Sequence, residues 1–256
     1  MNKQPITVLI TTYNEALILD KCLEKLYWAD EILIVDSYST DATIAIASAY
    51  GAKIISRKYD TPATQKNVSI PLSKHVTILL LDADEVLTEG LIEEIITAYP
   101  TMKNKVGSIG RENYFLDKMV RFSGWQNDKV VRLINRDVHR FHGVSVHESI
   151  DIQNCEVVYF KNKMQHYTYK NIPHFIAKIQ RYATYRANEN FIQNKKVSVF
   201  QLYFKPIFRF IRQYIFKLGF LDGKVGLIVC TLAAYEQFLR AVFTLELFEN
   251  QKKNPS

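Results

Sequence analysis

The chain has 256 residues and a formal charge of +7, with 48% hydrophobic and 23% charged residues. This composition predicts a globular protein with a sizeable core and excludes a largely disordered chain. The modest, evenly spread positive charge favours anionic partners such as nucleotide phosphates or an acidic membrane surface, and no nucleic-acid-binding module is recognisable. We expect no signal peptide and no membrane span, and the three widely spaced cysteines fit a reducing cytoplasm.

The first hundred residues alternate between β-branched apolar runs and segments of helical periodicity. Predicted strands cover residues 6–12, 31–36, 53–56 and 76–82, and predicted helices cover residues 16–27, 42–50, 62–70 and 89–99. This alternation predicts an α/β fold, with a parallel sheet that carries helices on both faces.

Beyond Pro100 the pattern changes to short strands, which we predict over residues 106–115, 118–122 and 129–134, with irregular β structure over 142–148 and 155–166. The chain is predicted to be helical from Ile172 onwards. Residues 200–216 interleave aromatic side chains with lysine and arginine, which fits either a helix in a membrane interface or a helix packed on its own domain. A further helix over 225–247 precedes a polar tail, which we expect to be frayed.

Acidic and polar residues follow the predicted strands, at the edge where open α/β sheets bind ligands. They are the Thr12–Glu15 turn after the first strand, Asp36 and Asp41 after the second, and Asp82 and Asp84 after the fourth. Alternate side chains of an extended chain share a face, so Asp82 and Asp84 can point the same way and share a hard divalent cation. No glycine-rich phosphate loop follows the first strand, so such a cation would neutralise the diphosphate of a bound nucleotide.

Three segments resemble, in order and rough spacing, the signatures of family 2 glycosyltransferases with the GT-A fold: TTYNE at 11–15, VDSYSTD at 35–41 and LDADE at 81–85. A narrower resemblance is to the lipopolysaccharide-core β-1,4-glucosyltransferase type, the WaaE/KdtX branch. It is carried by Gln65-Lys-Asn67, Gly124-Trp125, Arg132-Leu133, His147-Glu148 and His166-Tyr167. Lys66 replaces the usual arginine, which keeps the charge but loses the fork of donors.

The resemblance implies a Rossmann-like, mostly parallel GT-A sheet with a helical C-terminal extension. Residues 1–104 would bind the nucleotide sugar, residues 105–170 the acceptor, and residues 171–256 would form the helical region. The implied activity is that of an inverting transferase, which moves a hexose from a UDP-sugar, and glucose is the favoured hexose. The implied acceptor is a glycolipid or oligosaccharide, such as the lipopolysaccharide or lipooligosaccharide inner core, at the inner face of the cytoplasmic membrane.

The resemblance also implies roles for single residues. The implied donor site comprises Thr12, Tyr13, Asn14, Glu15, Asp36, Asp41, Lys66, Asp82 and Ala83. The implied ligands of Mg²⁺ or Mn²⁺ are Asp82, Asp84 and His166. The expected acceptor contacts are Trp125, Arg132 and His147. Glu148 is the expected catalytic base, with Asp128 as the alternative, and Lys66, Arg132 or His166 are expected to assist the leaving diphosphate.

Two other function classes stay open at this point. The segment Leu81–Val86 also fits the DxDx[TV] pattern of aspartyl-nucleophile phosphohydrolases, although in those enzymes the pattern usually follows the first strand. The third class is a non-catalytic scaffold at the membrane edge that keeps a sugar-nucleotide fold. Metal-dependent binding of UDP would separate the transferase from the scaffold.

Overall fold

The computed structural model describes residues 4–102, 105–142, 149–150, 152 and 155–253. By internal packing the chain divides into two compact units. The first unit is formed by Met1–Glu112 and Asn127–Tyr167, and the second by Asn113–Gln126 and Thr168–Ser256. The donor, acceptor and helical regions predicted from the sequence are functional divisions and stay a prediction.

Strands and helices alternate in the first hundred residues, as predicted. The strands are β1 (Ile6–Thr12), β2 (Glu31–Asp36), β3 (Lys53–Ser56), β4 (Thr77–Asp82), β5 (Glu85–Val86), β6 (Lys105–Phe115), β7 (Lys118–Met119), β8 (Lys129–Asn135), β9 (Phe141–His142), β10 (Ser149–Ile150) and β11 (Glu156–Tyr169). The helices are α1 (Ala16–Glu24), α2 (Thr43–Ala49), α3 (Pro62–Ser69), α4 (Glu89–Ala98), α5 (Ile172–Ile192), α6 (Val199–Ile211) and α7 (Gly223–Lys253).

The main sheet has the strand order β3-β2-β1-β4-β8-β6-β11-β5, with β7 paired to β6. Strands β1 to β4 are parallel to one another. Strand β8 is antiparallel to β4 and to β6, and β5 is antiparallel to β11. The sheet is therefore mixed, and its N-terminal half is the parallel part that strand–helix alternation requires.

Alternate residues of the central strands enter two separate cores, because successive side chains of a strand point to opposite faces. In β1, Val8 and Ile10 join the core that contains Leu19 of α1 and Leu91 of α4. Leu9 joins the core on the other face, which contains Ala63 of α3 and residues of β2, β4 and β8. Both faces of the sheet are covered by helices, which confirms the predicted α/β arrangement and leaves the strand ends as the accessible edge.

Several predicted boundaries are wrong. Helix α1 ends at Glu24 instead of residue 27, and β7 covers two of the five residues predicted there. The tail predicted to fray is helical as far as Lys253, and a salt bridge of 2.5 Å between Lys252 and Glu249 supports its last described turn. Basic side chains at a helix C-terminus also stabilise the helix by interacting with the negative end of its dipole.

Helices α5, α6 and α7 form most of the second unit, where α7 packs against both others. Among the described residues, one helical stretch, Gly219–Lys253, has the length and composition of a membrane-spanning helix, contrary to the expectation of none. Helix α6 fits neither predicted alternative, a helix in a membrane interface or a helix packed on its own domain, by itself. It packs along α7, yet none of its residues is buried.

Candidate active site

The carboxyl ends of β1, β2 and β4 lie side by side. In the parallel register Thr12 is opposite Asp36 of β2, and Thr11 is opposite Asp82 of β4. The acids that follow separate strands in the sequence therefore meet along one rim, as the strand pattern predicts. A crevice outside the carboxyl ends of parallel strands is where open α/β sheets bind ligands.

Asp36 fixes one half of this rim. Its carboxylate is buried and accepts hydrogen bonds from Thr12 Oγ1 at 2.9 Å, Ser39 N at 2.7 Å and Ser39 Oγ at 2.5 Å. A buried carboxylate needs such donors, since losing its hydration is costly. The bonds hold the loop 37–41 against the end of β1.

The Thr12–Glu15 turn is tied to the same loop. Asn14 accepts a hydrogen bond from Thr40 N at 2.8 Å, and its own N–H donates to Ser39 Oγ at 2.8 Å. Asp41 accepts from Ala16 N at 3.2 Å and from Thr43 N at 3.0 Å. Asn14 and Tyr38 have positive φ angles of 53° and 62°. These bonds make the turn and the loop one polar surface, from which the rings of Tyr13 and Tyr38 project into solvent.

Asp82 lies in a cluster of paired charges. Arg132 Nη2 is 2.5 Å from Asp82 Oδ2 and 2.6 Å from Glu85 Oε1, and Lys66 Nζ is 3.4 Å from Asp82 Oδ1. Glu85 Oε2 also accepts a hydrogen bond of 3.1 Å from Asp82 N. Glu85, Arg132 and Lys66 are buried, so each depends on these partners for its charge.

Electrostatic interactions keep both Asp82 and Arg132 ionised. Burial alone would raise the pKa of Asp82, but the charges of Arg132 and Lys66 outweigh it and hold that pKa well below its usual range. Burial alone would lower the pKa of Arg132, but Asp82 and Glu85 outweigh it and raise that pKa. Asp82 is thus a fixed anion at the end of β4.

Arg111 extends the cluster. It contacts Glu85 Oε1 at 3.2 Å, and it holds Asp128 with Nε at 2.9 Å and Nη2 at 3.0 Å. A carboxylate clamped in this way is favoured in its charged form and is a poor proton acceptor. The alternative catalytic base therefore has its carboxylate occupied.

Asp84 and His166 come together through strand pairing. His166 is opposite Glu85 in the antiparallel pair of β11 and β5, and Tyr167 N donates a 2.9 Å hydrogen bond to Asp84 O. His166 Nε2 is then 3.5 Å from Asp84 Oδ2. Within the described ranges no group of three or more potential metal-binding side chains forms. Because Asp82 is paired with two protein cations, Asp84 and His166 fit a cation better than Asp82 does.

The other predicted residues lie in different surroundings. Ala83 is buried between the two aspartates of its motif. Arg132, expected to contact the acceptor, is only 4% exposed and serves Asp82 and Glu85 instead. Trp125 lies in the second unit, where its ring packs near Tyr169 and Phe175. His147 and Glu148 lie outside the described residues.

Glu85 and Arg111 are the residues of this site that sequence reasoning missed. Glu85 follows Asp84 directly, so three of the four residues 82–85 at the end of a buried strand are acidic. This clustering could have indicated that Glu85 also belongs to the site. Arg111 carries no local signal, since its role depends on β6 reaching the cluster through the sheet.

Comparisons with known proteins agree with this geometry. The family model described as Glycosyl transferase family 2 matches residues 7–150, more than half of the chain. An uncharacterized glycosyltransferase of Rickettsia bellii is 27% identical over 261 residues, which cover 94% of this chain and 86% of the relative. The lipopolysaccharide core biosynthesis glycosyltransferase LpsC of Rhizobium meliloti is 25% identical over 256 residues, 93% of each chain.

Similar solved structures are more distant. S. aureus TarS 1-349 covers 99% of this chain and 93% of its own at 14% identity, with a TM-score of 0.49. Glucosyl-3-phosphoglycerate synthase from Mycobacterium tuberculosis covers 43% of this chain and 44% of its own at 18% identity, with a TM-score of 0.37. The family match and the sheet order, with parallel β1 to β4 under helices and a helical C-terminal segment, confirm the predicted GT-A fold class. The chain belongs to glycosyl transferase family 2 and is a glycosyltransferase that uses a sugar-nucleotide donor.

Proposed function

We propose that the protein is an inverting glycosyltransferase that moves glucose from UDP-glucose to a glycolipid or oligosaccharide acceptor of the lipopolysaccharide inner core. The observation that carries this proposal is the rim where the Asp36 loop meets the Asp82 cluster in a chain of family 2. The likeness to LpsC over 93% of both chains supports a lipopolysaccharide core acceptor. In this proposal the acceptor is glycosylated at the cytoplasmic face of a membrane.

The Thr12–Glu15 turn and the Asp36 loop bind the nucleoside in this proposal. Their mutual hydrogen bonds fix the backbone before the donor arrives, so little entropy is lost on binding. The exposed rings of Tyr13 and Tyr38 offer stacking surface for a base. The hydrogen bonds of Asp36 and Asp41 hold this surface in place.

The diphosphate lies against the ends of β4 and β5. Asp84 and His166, 3.5 Å apart, would hold Mg²⁺ or Mn²⁺ there, with the carboxylate as the oxygen ligand that both cations prefer. When bound, the cation neutralises negative charge that develops on the departing diphosphate. Lys66 supplies a nearby ammonium, while Arg132 and Glu85 keep Asp82 in place.

Inversion at the anomeric carbon requires a base on the acceptor side. The acceptor oxygen attacks the anomeric carbon as the bond to the diphosphate breaks, and the base removes the hydroxyl proton. Glu148 is our candidate for that base. Asp128 is the weaker candidate because Arg111 clamps both of its oxygens.

A phosphohydrolase would need an aspartate that is free to attack phosphorus. Asp82 would be that nucleophile, but Arg132 and Lys66 pair with its two oxygens. The motif also follows β4 instead of the first strand, and the family match supports a transferase. The geometry therefore favours the transferase over the hydrolase.

Calorimetric titration of UDP in the presence and absence of Mn²⁺ tests the proposal. We expect metal-dependent heat for the native chain and for Asp137→Asn, an exposed control, and its loss for Asp84→Asn without a change in the far-ultraviolet circular dichroism spectrum. A native chain that binds no UDP with Mn²⁺ would indicate the scaffold instead. Parallel turnover assays with UDP-glucose, UDP-galactose and UDP-N-acetylglucosamine identify the donor, and a preference other than glucose would overturn that part.

A further inference from the structure

The second unit carries an uncovered apolar face on α6. Phe200, Phe204 and Phe208 recur every four residues and are 66%, 54% and 62% exposed, and Ile207 and Ile211 lie beside them. The rings of Phe200 and Phe204 stack with their centroids 4.2 Å apart. These side chains line an almost purely apolar depression of about 430 Å³. A contiguous exposed patch of this kind marks an interaction surface, because single scattered residues are what monomers normally expose.

A cationic pocket lies next to this face. Its volume is about 370 Å³, and its lining includes Lys195, Lys196, Lys205 and Arg240. Arg240 Nη2 is held in place by a 3.0 Å hydrogen bond to Asn190 Oδ1, and Asn190 is itself buried and donates to Thr244 Oγ1 at 3.2 Å. Among the described residues that line the pocket there is no aspartate or glutamate. The pocket is therefore built to receive an anion of about phosphate size or larger.

Lys205 joins the two features, because it lines both the cationic pocket and the apolar depression. The charge bias extends along the segment: between Glu189 and Asp222 the sequence has six basic residues and no acidic one. Long basic side chains beside exposed aromatic rings match a ligand that has an anionic head next to an apolar chain.

We propose that α6 and the cationic pocket form a binding site for the phosphate headgroup of an anionic lipid at a membrane surface. The phosphate enters the pocket of Lys195, Lys196, Lys205 and Arg240, and Phe200, Phe204 and Phe208 enter the acyl region beside it. The site lies outside residues 7–150, the part of the chain that the family model matches. It does not depend on the proposed donor or acceptor.

A second copy of the chain is a poorer occupant. In a two-fold dimer the same patch meets itself, so the lysines around the phenylalanines of one copy would approach those of the other. Lys195, Lys196 and Lys205 are all exposed, and like charges across a contact are unfavourable. An anionic bilayer neutralises these charges while it covers the apolar face.

Vesicle co-sedimentation of the full chain tests the headgroup half of the proposal. Each basic residue near an anionic surface is worth about fivefold in binding, so Lys195→Gln/Lys196→Gln/Lys205→Gln should weaken binding to phosphatidylglycerol-containing vesicles about 100-fold. The matched control is Lys58→Gln/Lys118→Gln/Lys253→Gln, which removes the same charge from exposed positions elsewhere. Equal weakening by both triple variants would show that the lysines act only through general electrostatic attraction, and it would overturn the proposed phosphate pocket.

A second pair of variants tests the apolar half. Phe204→Ser/Phe208→Ser should weaken vesicle binding at least roughly tenfold, whereas Val138→Ser/Tyr27→Ser, which alters exposed apolar residues elsewhere, should leave it unchanged. All variants should keep metal-dependent UDP binding, which separates this proposal from that of the catalytic site.

Two results would assign the site to another ligand. Binding of soluble glycerol phosphate by the native chain, lost in the lysine variant, without vesicle binding would identify a free phosphate ester and overturn the lipid assignment. Light scattering that shows a dimer dissolved by Phe204→Ser/Phe208→Ser, again without vesicle binding, would assign the face to self-association.

Discussion

Glu85 lies at the centre of the charged cluster, fully buried between Arg132 and Arg111. It accepts the N–H of Asp82 as well, so one side chain sets the position of two arginines and of the end of β4. Without Glu85, the buried guanidinium group of Arg132 and the half-buried one of Arg111 would have less negative charge beside them. Removing one partner from such a network is costly, because the remaining charges stay buried without compensation.

We therefore expect Glu85→Gln to lower the free energy of unfolding by about 3 kcal/mol or more, measured as a shift of the urea midpoint. Glu89→Gln is the control, since Glu89 pairs with Lys25 in solvent and should barely matter. Equal stabilities of the two variants would show that the cluster does not depend on Glu85.

Glu148→Gln tests the assignment of the catalytic base. The amide keeps the size of the side chain but cannot accept the acceptor's proton, so we expect turnover to fall roughly 10²–10⁴-fold with the dissociation constant of UDP unchanged. Glu156→Gln, which alters an exposed acid paired with Lys105, should keep the native rate. A normal rate for Glu148→Gln would move the base to another residue.

At the scale of elements, local patterns were sufficient for β1 to β4 and for the helices between them. Apolar periodicity and strand ends are encoded within a few consecutive residues, so Asp36 and Asp82 could be placed on one rim from the sequence. Strand β5 was missed because it has two residues and exists only through its pairing with β11, about eighty residues later. The proximity of Asp84 to His166 depends on that pairing, and only the resemblance to a family indicated it.

The start of α7 depends on a close backbone contact. A Cβ atom at Gly226 would lie 1.9 Å from Gly219 O and 2.8 Å from Asp222 Cβ, whereas one at Gly223 would meet nothing within 4 Å. Asp222 in turn accepts hydrogen bonds from Arg121 N and Phe122 N, both at 3.0 Å. Any shift of this corner therefore reaches residues 121–123.

We expect Gly226→Ala to destabilise the second unit by more than about 2 kcal/mol, because overpacking outweighs the gain in helix propensity. Gly223→Ala should also be destabilising, by about 1–3 kcal/mol, because its φ of +62° and ψ of −138° are strained for alanine although its surroundings are open. Thermal melts followed by circular dichroism measure both variants, and a Gly226→Ala variant as stable as the native chain would contradict the packing argument.

At the scale of the whole molecule, sequence reasoning could not find the division into units. Residues 113–126 belong to the second unit although they lie between segments of the first. Their membership follows from contacts such as Ser123 Oγ with Asp222 Oδ2, at 2.7 Å and 99 positions apart. Composition and periodicity carry no information about such distant contacts, which is also why Trp125 could not be placed.

The stability of the molecule should fall on mild acidification because of His139. Burial lowers the pKa of His139, and its Nδ1 accepts a 3.0 Å hydrogen bond from Asn135 N, so the folded chain holds it neutral. The unfolded chain takes up this proton first as the pH drops below about 6.5, and the folded state then loses stability.

Urea midpoints measured across that range should therefore fall with pH in the native chain. The slope should be shallower in His139→Gln and unchanged in His142→Gln, which alters an exposed histidine. A native slope in His139→Gln would assign the acid sensitivity to other groups.

The interleaving of the two units limits how the protein can be shortened. Phe115 and Val120, from the segment enclosed by the first unit, are buried among Phe175, Val225 and Val229. A fragment that ends at Tyr167 would expose both apolar side chains to water and would be prone to aggregate. A proteolytic nick near that point should instead leave two pieces that stay together until a denaturant separates them.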